Sequence, residues 1–150
     1  MHTLDIQEYI EKRVNNQIDW YDGKSQEAQN WYKTLQVIEI ILASLIPLLS
    51  AYSTSCRSIA VTVGIFGAVI AIIESISKLN KYHENWIQYR TTCEMLRYQK
   101  YLFLTRSAPY NNSDETIENV FVRNIENIVS SENNQWKMIN TDKEEANSTT

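Results

Sequence analysis

The chain is poor in the residues that most site chemistry and most β structure require. Its 150 residues include three glycines, two prolines, two cysteines and two histidines. So few turn formers exclude a many-stranded β fold and leave little material for a glycine-rich phosphate loop. Two cysteines cannot build a disulfide framework or a structural zinc site, and two histidines add little to either. His2 is terminal, and His83 stands beside Glu84 without a second ligand at metal spacing, so His83 reads as a solvated helix residue. No nucleophile–base arrangement can be assembled. The expectation is therefore no enzyme, no metal and no cofactor. A net charge of −4 supplies no basic field for nucleic acid.

What the chain does have is segregation. A mean hydropathy below zero suggests an ordinary soluble protein, yet 13 of the 18 residues from Leu35 to Tyr52 are apolar, as are 13 of the 18 from Ile59 to Ile76. Within those two stretches the only charged side chains are Glu39 and Glu74. An 18-residue helix is about 27 Å long, close to the roughly 30 Å hydrocarbon thickness of a bilayer. Soluble core helices keep a polar stripe where one face meets water, whereas from Ile59 to Ile73 the only polar side chain is Thr62. Two helices that are apolar all round exceed what a domain of this size can surround. The reading is a membrane hairpin with spans at about 35–52 and 59–76, and neither span resembles a cleavable signal peptide. Lys24, Lys33, Lys78, Lys81, Arg90 and Arg97 flank one side of the hairpin, while the Ser53–Ser58 linker carries only Arg57. The positive-inside rule then puts both termini in the cytoplasm, and Trp31, Tyr32, Tyr52, Tyr82 and Trp86 fall near the span ends, where amphipathic rings favour the interface.

The expected fold is all-α, about four helices forming one membrane domain over residues 1–139. A first cytoplasmic helix covers about 4–21, with Asp5 suited to its first turn, and Asp22-Gly23 reads as a break or kink. A second helix starts near Lys24 and contains Pro47, which membrane helices tolerate. A third begins near Ser58 and finds no stop before Ser107-Ala108-Pro109, so that about 77–106 project into the cytoplasm. There Leu79, Tyr82, Trp86, Tyr89, Cys93, Leu96 and Phe103 recur with heptad spacing, interrupted by Lys100. Packing against the chain's own helices explains this better than a coiled coil between subunits. A fourth helix, capped by Ser113 or Asp114, covers about 114–139 and turns Ile117, Val120, Phe121, Ile125, Ile128, Val129 and Trp136 to one side; residues 140–150 read as a disordered tail. Cys56 and Cys93 fall on opposite membrane sides and should not pair.

The two intramembrane carboxylates are the candidate functional groups. Charges inside a membrane are costly and usually face protein or water. Measured from the centre of the linker, Glu39 and Glu74 differ by two residues, about 3 Å of helix rise, so both reach nearly the same depth. Two helices cannot enclose a pore, but a ring of subunits would place an acidic group at one level, as cation channels do. Local neutralisation competes with this, since Lys78 follows Glu74 by four residues. Glu39, Ala43, Ile46 and Ser50 lie along one helical line, which makes Ser50 a candidate outer pore group. Ala60, Gly64 and Ala68 form one small-residue row and Gly67, Ala71 and Ser75 a second, a spacing that lets helices approach closely in lipid.

The stretches Gln17–Asp22, Trp31-Tyr32, Ile38-Glu39-Ile40 and Ile46–Leu49 then join with Leu79–Tyr82, Glu84-Asn85-Trp86, Tyr89-Arg90, Cys93-Glu94, Lys100–Leu104, Pro109-Tyr110, Ser131-Glu132-Asn133 and Trp136. Together these resemble a bacterial family long catalogued only as a domain of unknown function and related to the SLATT two-transmembrane effectors, over about residues 15–137. The resemblance implies two membrane helices in a helical cytoplasmic frame, a bacterial inner-membrane location and a pore-forming role in conflict systems. It brings no catalytic residues. The functional expectation is a homo-oligomeric, cation-permeable channel or pore, with a non-conducting membrane anchor or scaffold as the alternative and a soluble signalling bundle third.

Overall fold

In the computed structural model the described residues are 5–52, 57–111 and 117–132. They form three helical rods and no strand: α1, Ile6–Ser50; α2, Arg57–Leu104; and α3, described over 117–132. Asp5 caps α1, its carboxylate accepting the Gln7 N–H at 3.2 Å. The expected cap of α3, the Ser-rich linker with Cys56, Trp136 and the C-terminal tail lie outside the described residues.

Two expectations about helix limits are corrected. The break at Asp22-Gly23 does not occur, because α1 continues through it to Ser50. Gly23 keeps a negative φ, and Asp22 accepts from Arg90 at 3.3 Å and pairs with Arg97 at 3.5 Å. Those ion pairs engage the Asp22 carboxylate, which in a turn would serve as a local hydrogen-bond acceptor. Conversely, α2 is interrupted where no stop was foreseen. Lys81 takes φ 48°, between the segments Arg57–Asn80 and Tyr82–Leu104. Asn80 and Asn85 bridge the gap, Asn80 Nδ2 donating to Ile76 O and Asn85 Nδ2 to Asn80 O. The foreseen stop after α2 is present and has a specific form. Arg106 adopts φ 50°, while Ser107 N donates to Leu102 O and Arg106 N to Phe103 O. This is a Schellman cap with arginine at the position glycine usually takes.

Beyond the helix ends, the chain divides into two compact units, one formed from Met1–Gly23 with Tyr89–Thr150 and one from Lys24–Gln88. The first has a true core. Ile10, Val14, Ile18 and Tyr21 of α1 meet Cys93 and Leu96 of α2, Phe121 and Ile125 of α3, and Tyr110 from the turn after α2. Phe103 stacks on Phe121 at 4.2 Å between centroids, and Tyr110 meets both rings edge-on. Within the heptad pattern, Cys93 and Leu96 are fully buried in this core, as expected of packing against the chain's own helices, whereas Leu79 is 74% exposed. The polar interruption has a partner of its own: Lys100 Nζ donates to Asn15 Oδ1 at 2.8 Å. Asn15 ends a six-residue π-helical stretch, Ile10–Asn15, inside α1.

The second unit contains the apolar stretches. α1 and α2 are each long and apolar enough to cross a membrane, and in their apolar stretches, 35–52 and 59–76, Ile73 is the single buried residue. Val37, Ile40, Ile41, Leu48, Val61, Ile65 and Ile72 are all more than half exposed. In water that much bare apolar surface would drive association; in lipid it carries no penalty. Pro47 sits within α1 without ending it.

Candidate functional site

Burial in the second unit follows a heptad. On α1 the less exposed positions include Ser25, Ala28, Tyr32, Leu35, Glu39, Leu42, Ile46 and Leu49, which together make a continuous 3-4 alternation. On α2 they include Ile59, Thr62, Val63, Phe66, Ile70, Ile73, Glu74 and Ser77. This is the pattern of two helices turning one seam toward each other, and both carboxylates lie on it. The predicted line Glu39–Ala43–Ile46–Ser50 is therefore divided: Glu39 and Ile46 are on the seam, while Ala43 and Ser50 are exposed.

The two glutamates differ in their partners. Lys78 Nζ lies 3.0 Å from a Glu74 carboxylate oxygen, the i,i+4 pair foreseen from spacing. Glu39 is half-buried and forms no hydrogen bond or ion pair among the described residues. The small-residue rows face away from the seam. Ala60, Gly64, Gly67, Ala68, Ala71 and Ser75 are all exposed, and a Cβ built on Gly64 or Gly67 would meet nothing within 4 Å. Among the described residues the rows are thus not spent on close contacts. At the far end of the apolar stretches, Trp31 stacks on Tyr82 and Tyr32 on Trp86, and Lys33 Nζ lies 6.0 Å from the Trp86 centroid. His83 is exposed, as expected of a solvated residue, and also leans on Tyr32 with 4.9 Å between centroids.

The first unit holds polar networks that spacing did not reveal. Glu126 of α3 accepts from Tyr9 Oη at 2.8 Å and from Arg13 Nε at 3.1 Å and Nη2 at 3.0 Å. The Arg13 hydrogen bonds hold the Glu126 carboxyl below its ordinary pKa. Burial, and then the hydrogen bond to Glu126, push the Tyr9 hydroxyl up. Tyr21 behaves likewise, buried and donating to Glu132 at 2.9 Å. Tyr110 donates to Gln99 and accepts from Asn124 Nδ2. Cys93 donates its thiol hydrogen to Ile18 O at 3.6 Å, and burial raises its pKa, which favours the uncharged thiol that packs in the core. The available signal was the i,i+4 spacing of Tyr9 and Arg13; their partner stands more than 110 residues away, beyond the reach of local pattern. No group of three or more metal-ligating side chains occurs among the described residues.

No curated protein and no solved structure matches the chain significantly. A family model does match, over residues 16–118, and that match takes in both apolar stretches, both candidate glutamates and the break at Lys81. The chain belongs to the family described as Protein of unknown function (DUF4231).

Proposed function

We propose that the protein is a homo-oligomeric, cation-permeable membrane channel or pore of the SLATT-like type, each subunit contributing two membrane-spanning helices. The observation that carries this reading is Glu39: a half-buried carboxylate in an apolar seam with no counter-ion among the described residues. Such a group is expensive in a membrane unless it meets water or a passing cation. Glu74 lies at nearly the same depth, and the exposed Ala60–Gly64–Ala68 and Gly67–Ala71–Ser75 rows leave a close-approach surface for neighbouring subunits. Ring closure would repeat Glu39 at one level, attracting cations by Coulomb interaction where hydration is weak. Ser50, exposed near the end of α1, would then be the outer polar group. The aromatic pairs of Trp31, Tyr32, Tyr82 and Trp86 suit the cytoplasmic interface of a bacterial inner membrane, with both termini inside. An effector role in bacterial defence or stress fits a channel that must stay closed until triggered.

A second reading, a non-conducting anchor that recruits a partner, is favoured by one feature: Met95, Tyr98, Tyr101 and Leu104 of α2 are each about half or more exposed. Ion flux through the purified protein in liposomes separates the two. Wild type should pass cations, with flux or selectivity reduced in Glu39→Gln and less so in Glu74→Gln. Flux unchanged in both variants would remove the acidic ring. An inserted oligomer that conducts nothing, while a Tyr98→Ala/Tyr101→Ala variant loses a bound partner, would establish the anchor.

A further inference from the structure

The core unit contains a concavity that the channel reading does not use. A cavity of about 320 Å³ is lined by Asn15, Ile18 and Asp19 of α1 and by Arg97, Lys100 and Tyr101 of α2. That volume is at the small end of the range for ligand sites, roughly 300–1,000 Å³. Its chemistry is specific. Lys100 donates to the neutral Asn15 amide oxygen at 2.8 Å and has no ion pair among the described residues. Its charge is thus placed but not neutralised. Arg97 is oriented from outside the cavity by Asp22 at 3.5 Å and Glu94 at 3.1 Å. With Oδ1 of Asn15 facing Lys100, the amide N–H groups of Asn15 have no acceptor among the described residues. Asn15 is also the last residue of the π-helical stretch, a wider turn that recurs at functional sites. The Tyr101 ring, 62% exposed, stands beside the cavity, and Asp19 supplies one carboxylate at its edge.

We infer that this cavity binds a small phosphomonoester carrying hydroxyl groups. Lys100, Arg97 and the Asn15 amide would donate to the phosphate, charge-assisted bonds of the stronger kind. Asp19 would accept from a ligand hydroxyl set apart from the phosphate, which the ester carries and inorganic phosphate, once held by Lys100 and Arg97, does not. Ile18 forms an apolar base, and Tyr101 offers a face for the body of the ligand. The inference does not depend on conduction, since every lining residue belongs to the core unit.

Isothermal titration of the full chain in neutral-lipid nanodiscs tests it, with ribose 5-phosphate, ribose and inorganic phosphate as probes. Ribose 5-phosphate should bind saturably, ribose not at all, and inorganic phosphate more weakly than the ester. Lys100→Gln, which can still donate to Asn15, should weaken the ester at least tenfold without changing the melting temperature of the free protein. Asp19→Asn should narrow the gap between ester and phosphate. Repeating the titration in nanodiscs containing phosphatidic acid identifies the source: competition that Lys100→Gln abolishes means a lipid headgroup supplies the phosphate, and no competition means a soluble ester does. Absence of saturable ester binding at millimolar concentration, equal binding by Lys100→Gln, or equal binding of ribose would each overturn the assignment.

Discussion

The two units of this chain use the same residue types to opposite ends. In the core unit, Val14, Leu96, Phe121 and Ile125 are completely buried, and charge is arranged around them in the Tyr9–Arg13–Glu126 and Asp22–Arg90–Arg97 clusters. In the other, Ile40, Val61, Ile65 and Ile72 stand more than half exposed, and among the described residues Glu74–Lys78 is the one ion pair made by a carboxylate of the apolar stretches. A hydrophobic side chain gains roughly 1.5–3 kcal/mol on complete burial, whatever removes it from water. Protein supplies that environment in the core unit. The second unit leaves much of its apolar surface outside any packed core, on two helices long enough to cross a bilayer.

Truncation should separate the units most sharply. Phe121→Ala removes a ring in contact with Phe103, Tyr110 and Tyr9 and should destabilise the core unit by about 3–5 kcal/mol. Ile72→Ala, in a side chain already 57% exposed, should cost less than about 1 kcal/mol. Urea titration followed by near-ultraviolet circular dichroism in detergent measures both, and equal losses would mean that the apolar unit has a packed core of its own.

Charge insertion reverses that ranking. Ile65→Arg places a cation on an exposed apolar face and should disfavour membrane insertion by about 2.5–3.5 kcal/mol. Most of the protein should then leave the alkaline-resistant membrane fraction, which wild type should occupy. Full retention of the variant would show that this face does not meet lipid.

Glu126 sharpens the electrostatic side of the comparison. Its folded-state pKa lies below the ordinary value, so its contribution is complete at neutral pH, above the unfolded value, and is lost as pH falls through the folded value. The pair with Arg13 is about two-fifths exposed on both sides, so Glu126→Gln should cost only about 1 kcal/mol at neutral pH. Its melting temperature should also fall less than that of wild type on acidification. An acid response identical to wild type would assign that sensitivity to other carboxylates.

The smallest effect expected is a gain. Gly23 is helical with open space around its missing Cβ, so Gly23→Ala should stabilise α1 by about 0.5–1 kcal/mol. A loss measured by thermal melting would mean that the position must bend in the working protein.

Much of the architecture was legible because the relevant patterns are local. Segregated apolar runs, the Ser107–Pro109 stop, the apolar face of α3 and the Glu74–Lys78 pair all depend on neighbours a few residues apart. The errors came from signals with two meanings. Asp22-Gly23 is a good turn dipeptide, yet the arginines one α2 face presents to Asp22 make helix the better state there. Lys81 carries no breaker chemistry at all, so nothing local announces its left-handed φ. The candidate site divided in the same way: the matched spacing of Glu39 and Glu74 from the linker is a matter of counting, but the exposure of Ala43, Ser50 and both small-residue rows belongs to the three-dimensional structure.

Helical class, two membrane-length apolar stretches and an acidic residue in each were determined by the sequence alone, because hydrophobic free energy and backbone hydrogen bonding act on composition and short spacing. Which polar groups would meet was decided only in three dimensions. Glu126 reaches Tyr9 and Arg13, and Lys100 reaches Asn15, across separations of 85 to 117 residues. Such pairs form only after apolar packing has brought their helices together, and the energy of each is too small to direct that packing.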